Sequence, residues 1–195
     1  MDTWGPSDDL PLLHAAYRSL LLLLLTSAAR IGEMADLTYP PIARNPHEWE
    51  FARGRGLTKT SRQGHHEPSL VVKAFPSNIL RCPISALERY TILTEPHRQQ
   101  SGPLFLTSRK PFHPATKDTL ARWVKATLNA AGIDIQSYTA HSTRAASTTA
   151  AHQRGVQLHD ILRTAHWTGA STFHNYYYRP PPSSAIASAV LDPPR

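Results

Sequence analysis

Thr139-Ala140-His141-Ser142-Thr143-Arg144-Ala145-Ala146-Ser147 opens an alanine-rich stretch that runs to Arg154 and is closed by Gly155. Alanine favours a helix from about Ala140, and glycine is the usual residue just past a helix C-terminus. His141 and Arg144 stand at i and i+3, so on a helix both project from one face. An arginine fork grips two phosphate oxygens at once. A histidine beside it donates a hydrogen bond or takes a proton near neutral pH. Alone, a His-x-x-Arg pair is common and usually structural, so its meaning depends on its companions.

Far upstream stands Thr26-Ser27-Ala28-Ala29-Arg30-Ile31-Gly32-Glu33-Met34-Ala35-Asp36-Leu37. It follows the apolar run Leu20 to Leu25, and one helix is expected from near Pro11 to about Leu37. Pro40, Pro41 and Pro46 then make a connector. Arg18 and Arg30 bracket the leucines too closely for a membrane span of roughly 18 residues, so the run reads as a core helix. Glu33 follows Arg30 by one turn, and a simple ion pair or helix cap is the plain alternative for Arg30.

Between these strings the pattern changes. Trp49 and Phe51 alternate with charged or small residues as a half-buried strand does. Gly54 and Gly56 read as a turn, with a second strand near Leu57 to Thr60, a loop from Ser61 to Pro68, and a third strand from Leu70 to Ala74. The chain is therefore expected to be mainly α with a small three-stranded antiparallel β-sheet, an α+β fold. Pro83 to Thr94 and Thr116 to Ala131 read as helices, the second with Leu120, Trp123, Val124 and Leu128 on one stripe and Gly132 as its cap. Lys117, Arg122 and Lys125 on that helix form a solvated face by default; a DNA-facing surface is the alternative.

Downstream, Leu158 to Ala165 reads as a helix. It belongs to the string Ile161-Leu162-Arg163-Thr164-Ala165-His166-Trp167-Thr168-Gly169-Ala170-Ser171-Thr172-Phe173-His174-Asn175-Tyr176-Tyr177-Tyr178-Arg179-Pro180. A last short helix starts near Ser171 or Thr172 and stops at Pro180 to Pro182. Three consecutive tyrosines in a basic, polar setting are unusual for a core, although at least one must pack there.

The bulk numbers set the frame. A chain of 195 residues suits one globular domain, and 41% apolar with 18% charged residues is an ordinary globular balance. The net charge of +7, the pI near 9.9 and eleven histidines favour a polyanionic partner. Cys82 is the one cysteine, which excludes an intrachain disulfide and a multi-cysteine zinc site and fits a reducing intracellular compartment. Asp2, Asp8 and Asp9, with no basic region, do not make a secretory signal.

Together the strings resemble the catalytic domain of the tyrosine recombinases, the phage integrase family, over nearly the whole chain. The family pattern is an arginine with a glutamate three later, a lysine on a β-hairpin, His-x-x-Arg, a His or Trp, then a tyrosine. Here these fall in order on Arg30 and Glu33, Lys59, His141 and Arg144, Trp167, and the tyrosine run. Trp167 stands where many members carry His. Leu57-Thr58-Lys59-Thr60-Ser61, Ala165-His166-Trp167 and Tyr177-Tyr178-Arg179-Pro180 further resemble the DIRS-like recombinases of eukaryotic retrotransposons.

The resemblance implies a phosphoryl transfer in which a tyrosine forms a 3′-phosphotyrosyl link to DNA. Arg30 and Arg144 would hold the scissile phosphate, His141 would assist proton transfer at the nucleophile or hydrogen-bond the phosphate, Lys59 would serve as general acid, and Trp167 would position the phosphate. The nucleophile stays open between Tyr176, by the count from Trp167 in many members, and Tyr177, by the retroelement-like ending; Tyr177 is preferred. Arg62, Lys117, Arg122 and Lys125 are the candidate DNA contacts. No metal and no cofactor are expected. The expected partner is double-stranded DNA, with self-association on it, no membrane, and a nuclear location if the source is eukaryotic.

The expected layout is a loose leader over 1–9, the catalytic domain over 10–180, and a tail over 181–195 with a short helix at Ser183 to Leu191. The family's N-terminal core-binding domain has no counterpart in these residues, so weak, strongly salt-dependent DNA binding by this stretch alone is expected. A type IB topoisomerase, a catalytically dead DNA-binding remnant and a metal-dependent nuclease are the alternative functions.

Overall fold

The leucine run becomes α1, Leu12–Ser27, in the computed structural model, which describes residues 9–54 and 69–179. The chain forms two compact units, residues 1–144 and 145–195. Ala15, Ala16 and Leu20 to Leu24 of α1 are all buried, as expected of a helix that is apolar on most sides. Among the described residues no helix is long and apolar enough to cross a membrane. Instead α1 packs on α3, Pro83–Thr94, and α4, Lys117–Ala130. Each leucine so buried contributes about 1.5–3 kcal/mol of transfer free energy.

The single helix expected to Leu37 is in fact broken before Arg30. Ala28 adopts a left-handed conformation at φ 50° and ψ 25°, and a separate short helix, α2, spans Ile31–Ala35. Local hydroxyls explain the break. Ser27 Oγ donates to Leu23 O at 2.6 Å and accepts the Ala29 N–H at 3.2 Å, while Thr26 Oγ1 donates to Leu22 O at 2.8 Å. Serine and threonine that bond the backbone in this way compete with the helical ladder.

After α2 the chain forms β1, Thr38–Tyr39, then β2, Ala43–Arg44, β3, Glu48–Phe51, and β4, Leu70–Lys73. The last three make an antiparallel sheet in the order β2-β3-β4, with Ala43 opposite Glu50 and Trp49 opposite Val72. Trp49 and Phe51 are fully buried, so alternation along β3 turns its aromatic face to the core. The expected strand at Leu57 to Thr60 lies outside the described residues. The sheet's other described strand is Ala43–Arg44, inside what reads in sequence as a proline connector. Pro41 and Pro46 flank it without entering the ladder, and the Ile42 N–H donates to Glu50 O at 2.7 Å. A separate two-stranded ladder pairs β1 with β5, Gly102–Pro103. The fold is thus mainly helical with a small three-stranded antiparallel sheet, as the sequence predicts.

Three later helices end by one device. α4 is followed by Gly132 at φ 74°, α5, Ser142–Gln153, by Gly155 at φ 85°, and α6, Leu158–Thr164, by His166 at φ 51°. In each the left-handed residue and its successor donate back to the last turn, as with His166 N to Arg163 O at 3.1 Å and Trp167 N to Leu162 O at 2.9 Å. Glycine takes this conformation freely, whereas a residue with a Cβ does so at a cost of about 1–2 kcal/mol. Glycine's larger loss of chain entropy offsets part of that. His166→Gly is therefore expected to stabilise the fold by about 0.5–1 kcal/mol, read as a shift of the urea unfolding midpoint at unchanged slope.

Candidate active site

Arg30 is placed by the break between α1 and α2. It is the N-cap of α2, with extended backbone at φ −84° and ψ 154°. Glu33, in the first turn of α2, folds back on it. Its Oε2 accepts the Arg30 N–H at 3.3 Å, and its Oε1 accepts Arg30 Nη1 at 2.9 Å. The carboxylate is 5% exposed and the Arg30 side chain 39%, so Glu33 anchors the guanidinium from beneath while part of it still meets solvent. The same carboxylate holds a second cation, Arg53, whose Nη1 lies 3.6 Å from Oε2. Sequence reading passes over Arg53: an arginine before a glycine at a strand end carries no motif.

His141 and Arg144 straddle the start of α5. His141 lies in the turn just before Ser142, its N–H donating to Thr139 Oγ1 at 3.3 Å, and Ser142 Oγ accepts the Thr139 N–H at 3.0 Å. Arg144 sits in the first helical turn, with its N–H donating to His141 O at 3.3 Å and only 1% of the residue exposed. The positive end of the α5 macrodipole adds to these cations.

Residues 30 and 144 act on one imidazole. The His141 pKa is lowered, first because surrounding protein desolvates the ring and then because the guanidiniums of Arg144 and Arg30 oppose a third positive charge. The residue is exposed overall, so the desolvation is partial. Arg30, His141 and Arg144 are therefore gathered into one cationic patch within the first unit, with Glu33 as its buried counter-charge.

A pH dependence of folding follows. With its folded pKa below the unfolded value near 6.5, His141 binds fewer protons in the folded chain. Its contribution is fully present above about pH 6.5 and is lost as pH falls through the folded value. Urea unfolding at about pH 5 and pH 7.5 should show a smaller acid-side loss in His141→Gln than in the unmodified chain. An equal loss in both would refute the assignment.

Trp167 and the tyrosines belong to the second unit. After α6 come α7, Ala170–Thr172, and a π-helical turn, Phe173–Tyr177, closed by Tyr178 N donating to Phe173 O at 2.8 Å. The tyrosines have three different surroundings. Tyr178 packs against Phe173 at 5.3 Å and His152 at 5.4 Å between ring centroids. Tyr177 is half-buried, its ring 4.4 Å from that of Trp167, which is itself 8% exposed. Tyr176 is 68% exposed. Thr149 clamps the chain here, donating through Oγ1 to Tyr177 O at 3.1 Å and accepting the Arg179 N–H at 3.0 Å.

Lys59 and Arg62 lie outside the described residues. Lys117, Arg122 and Lys125 are exposed on α4, opposite the buried Leu120, Trp123, Val124 and Leu128, with Arg122 Nη2 donating to Thr119 Oγ1 at 3.2 Å.

A solved structure titled "Crystal structure of XerA recombinase" matches at a TM-score of 0.62 and 17% identity, over 95% of this chain and 63% of that one. The likeness is one of fold, that of a tyrosine recombinase catalytic domain, and this chain spans less than two thirds of that protein's length. No curated protein sequence matches it. The family model described as "Phage integrase family" matches residues 11–182, a range that takes in both arginines, His141, Trp167 and all three tyrosines. The chain belongs to the phage integrase family, the tyrosine recombinases.

Proposed function

We propose that residues 10–180 are the catalytic domain of a recombinase that cuts and rejoins double-stranded DNA through a 3′-phosphotyrosyl intermediate. The observation that carries this reading is the patch of Arg30, His141 and Arg144 within a chain of this family. Two guanidiniums near enough to an imidazole to oppose its charge suit a phosphate whose charge grows in the transition state. In the reaction, the tyrosine oxygen attacks phosphorus while the bond to the 5′-oxygen breaks. His141, its pKa lowered by partial burial and by the two arginines, would assist proton transfer or hydrogen-bond the phosphate. Lys59 donates its ammonium proton to the leaving 5′-oxygen. A second 5′-hydroxyl reverses the step on another strand, so the bond energy is kept in the phosphotyrosine.

Tyr177 is the nucleophile in this reading. Exposure alone favours Tyr176, but attack needs a phenol held in one orientation, and the Trp167 ring holds that of Tyr177.

The resemblance to DIRS-like members further suggests a mobile element, with integration or excision carried out by several copies assembled on DNA inside the cell, in the nucleus of a eukaryote. Arg62, Lys117, Arg122 and Lys125 would contact DNA backbone. A nicked duplex that traps the covalent adduct tests the reading. A protein–DNA adduct resistant to denaturant and abolished by Arg30→Ala supports it. DNA binding with no adduct, under conditions where the chain is folded, points to a DNA-binding remnant.

A further inference from the structure

We infer that Arg53 is a positioning residue of the phosphate-binding patch, acting through Glu33 on Arg30; this rests on the reading of the patch given above. Glu33 is 5% exposed, and a carboxylate so buried must be balanced by cations and hydrogen bonds. Arg30 alone would serve, but at a cost to function: an arginine neutralised by its own carboxylate attracts a phosphate weakly. Arg53 changes the balance. Its side chain is 6% exposed and lies 3.6 Å from Oε2, whereas Arg30 takes Oε1 at 2.9 Å and is 39% exposed. The buried cation balances the buried carboxylate, and the exposed cation keeps a net positive charge to present outward. Two guanidiniums and one carboxylate carry a net +1.

The backbone fixes Arg53 for this task. Arg53 forms an isolated bridge with Leu37, and the next N–H, of Gly54, donates to Asp36 O. A Cβ at Gly54 would meet that carbonyl at 3.2 Å, tighter than the ordinary contact range, so glycine suits the close approach. Arg53 is thus tied to the exit of α2, the helix whose first turn holds Glu33 and whose N-cap is Arg30. Arg30 takes its orientation from Glu33, and Glu33 from both arginines.

The test uses single-turnover adduct formation on the nicked duplex, with DNA affinity and thermal melting measured beside it. Arg53→Gln is expected to slow the covalent step about tenfold while affinity changes less than about threefold, because one phosphate-facing cation is weakened and none is removed. Arg53→Lys should recover most of the rate. In a Glu33→Gln background the Arg53→Gln effect should shrink to less than about twofold, since the route through the carboxylate is gone. A purely structural arginine would lower the melting temperature without this dependence on residue 33. Equal adduct rates in Arg53→Gln and the unmodified chain, or an undiminished effect in the Glu33→Gln background, overturns the inference. Arg53→Met, of similar length, gives the same readout should the glutamine variant not fold. Absence of adduct from the unmodified chain is a different result, and it removes the proposed function together with this inference.

Discussion

Tyr177→Phe is expected to abolish the covalent adduct, a loss of at least about 10³-fold, while Tyr176→Phe stays within about threefold of the unmodified rate. The size of the first effect reflects removal of the nucleophilic oxygen itself, for which no neighbour substitutes unless it reaches the same point. The small second effect follows from geometry. Tyr176 is 68% exposed, with no ring contact in the described structure to hold it, whereas the Tyr177 ring lies 4.4 Å from that of Trp167. Both substitutions keep the aromatic ring, so the packing of the π turn survives in each variant. Mass mapping of the trapped peptide provides an independent reading: phosphotyrosine at 176 would sink the assignment. Trp167→Ala should lower the adduct rate, because the ring support of Tyr177 is lost.

Arg144→Lys is expected to slow adduct formation by about 10²–10³-fold, the range typical of losing one pre-organised donor to a developing oxyanion. Lysine keeps the charge but not the planar fork, so a large loss in Arg144→Lys separates bidentate positioning from simple attraction. Arg144 is 1% exposed in the first turn of α5, and the protein around it fixes where its donors point. DNA affinity should fall far less than the rate, since exposed basic groups supply most of the binding. A rate within about threefold of the unmodified chain would remove Arg144 from the phosphate site. Melting curves are needed beside the kinetics, because a buried guanidinium also contributes to folding.

Much of the fold was legible because its signals are local. The Leu20 to Leu24 run, the stripe Leu120, Trp123, Val124 and Leu128, and glycines at 132 and 155 each mark an element through neighbouring residues alone. The break before Arg30 was not legible as a break. The pattern from Leu12 to Leu37 is helical throughout, and only the bonds made by Ser27 and the return of Glu33 to the Arg30 N–H divide it. The strand at Ala43–Arg44 was hidden for the opposite reason: prolines on both sides signal a connector, while its pairing partner Glu50 is supplied by another strand.

The residue types of the candidate site were set by the sequence: two arginines, a histidine, a tryptophan and a tyrosine run in a fixed order along the chain. That order needs no structure, because each string carries its own local spacing. Contacts across long stretches of chain are another matter. That Arg30 acts on His141, more than a hundred residues away, and that Glu33 is shared with Arg53, are decided by packing of α1 and α2 against the rest of the first unit. The three adjacent tyrosines are the sharpest case. Their chemistry is identical and their spacing minimal, and only the packing around the folded turn sends one to Trp167, one to Phe173 and His152, and one to solvent.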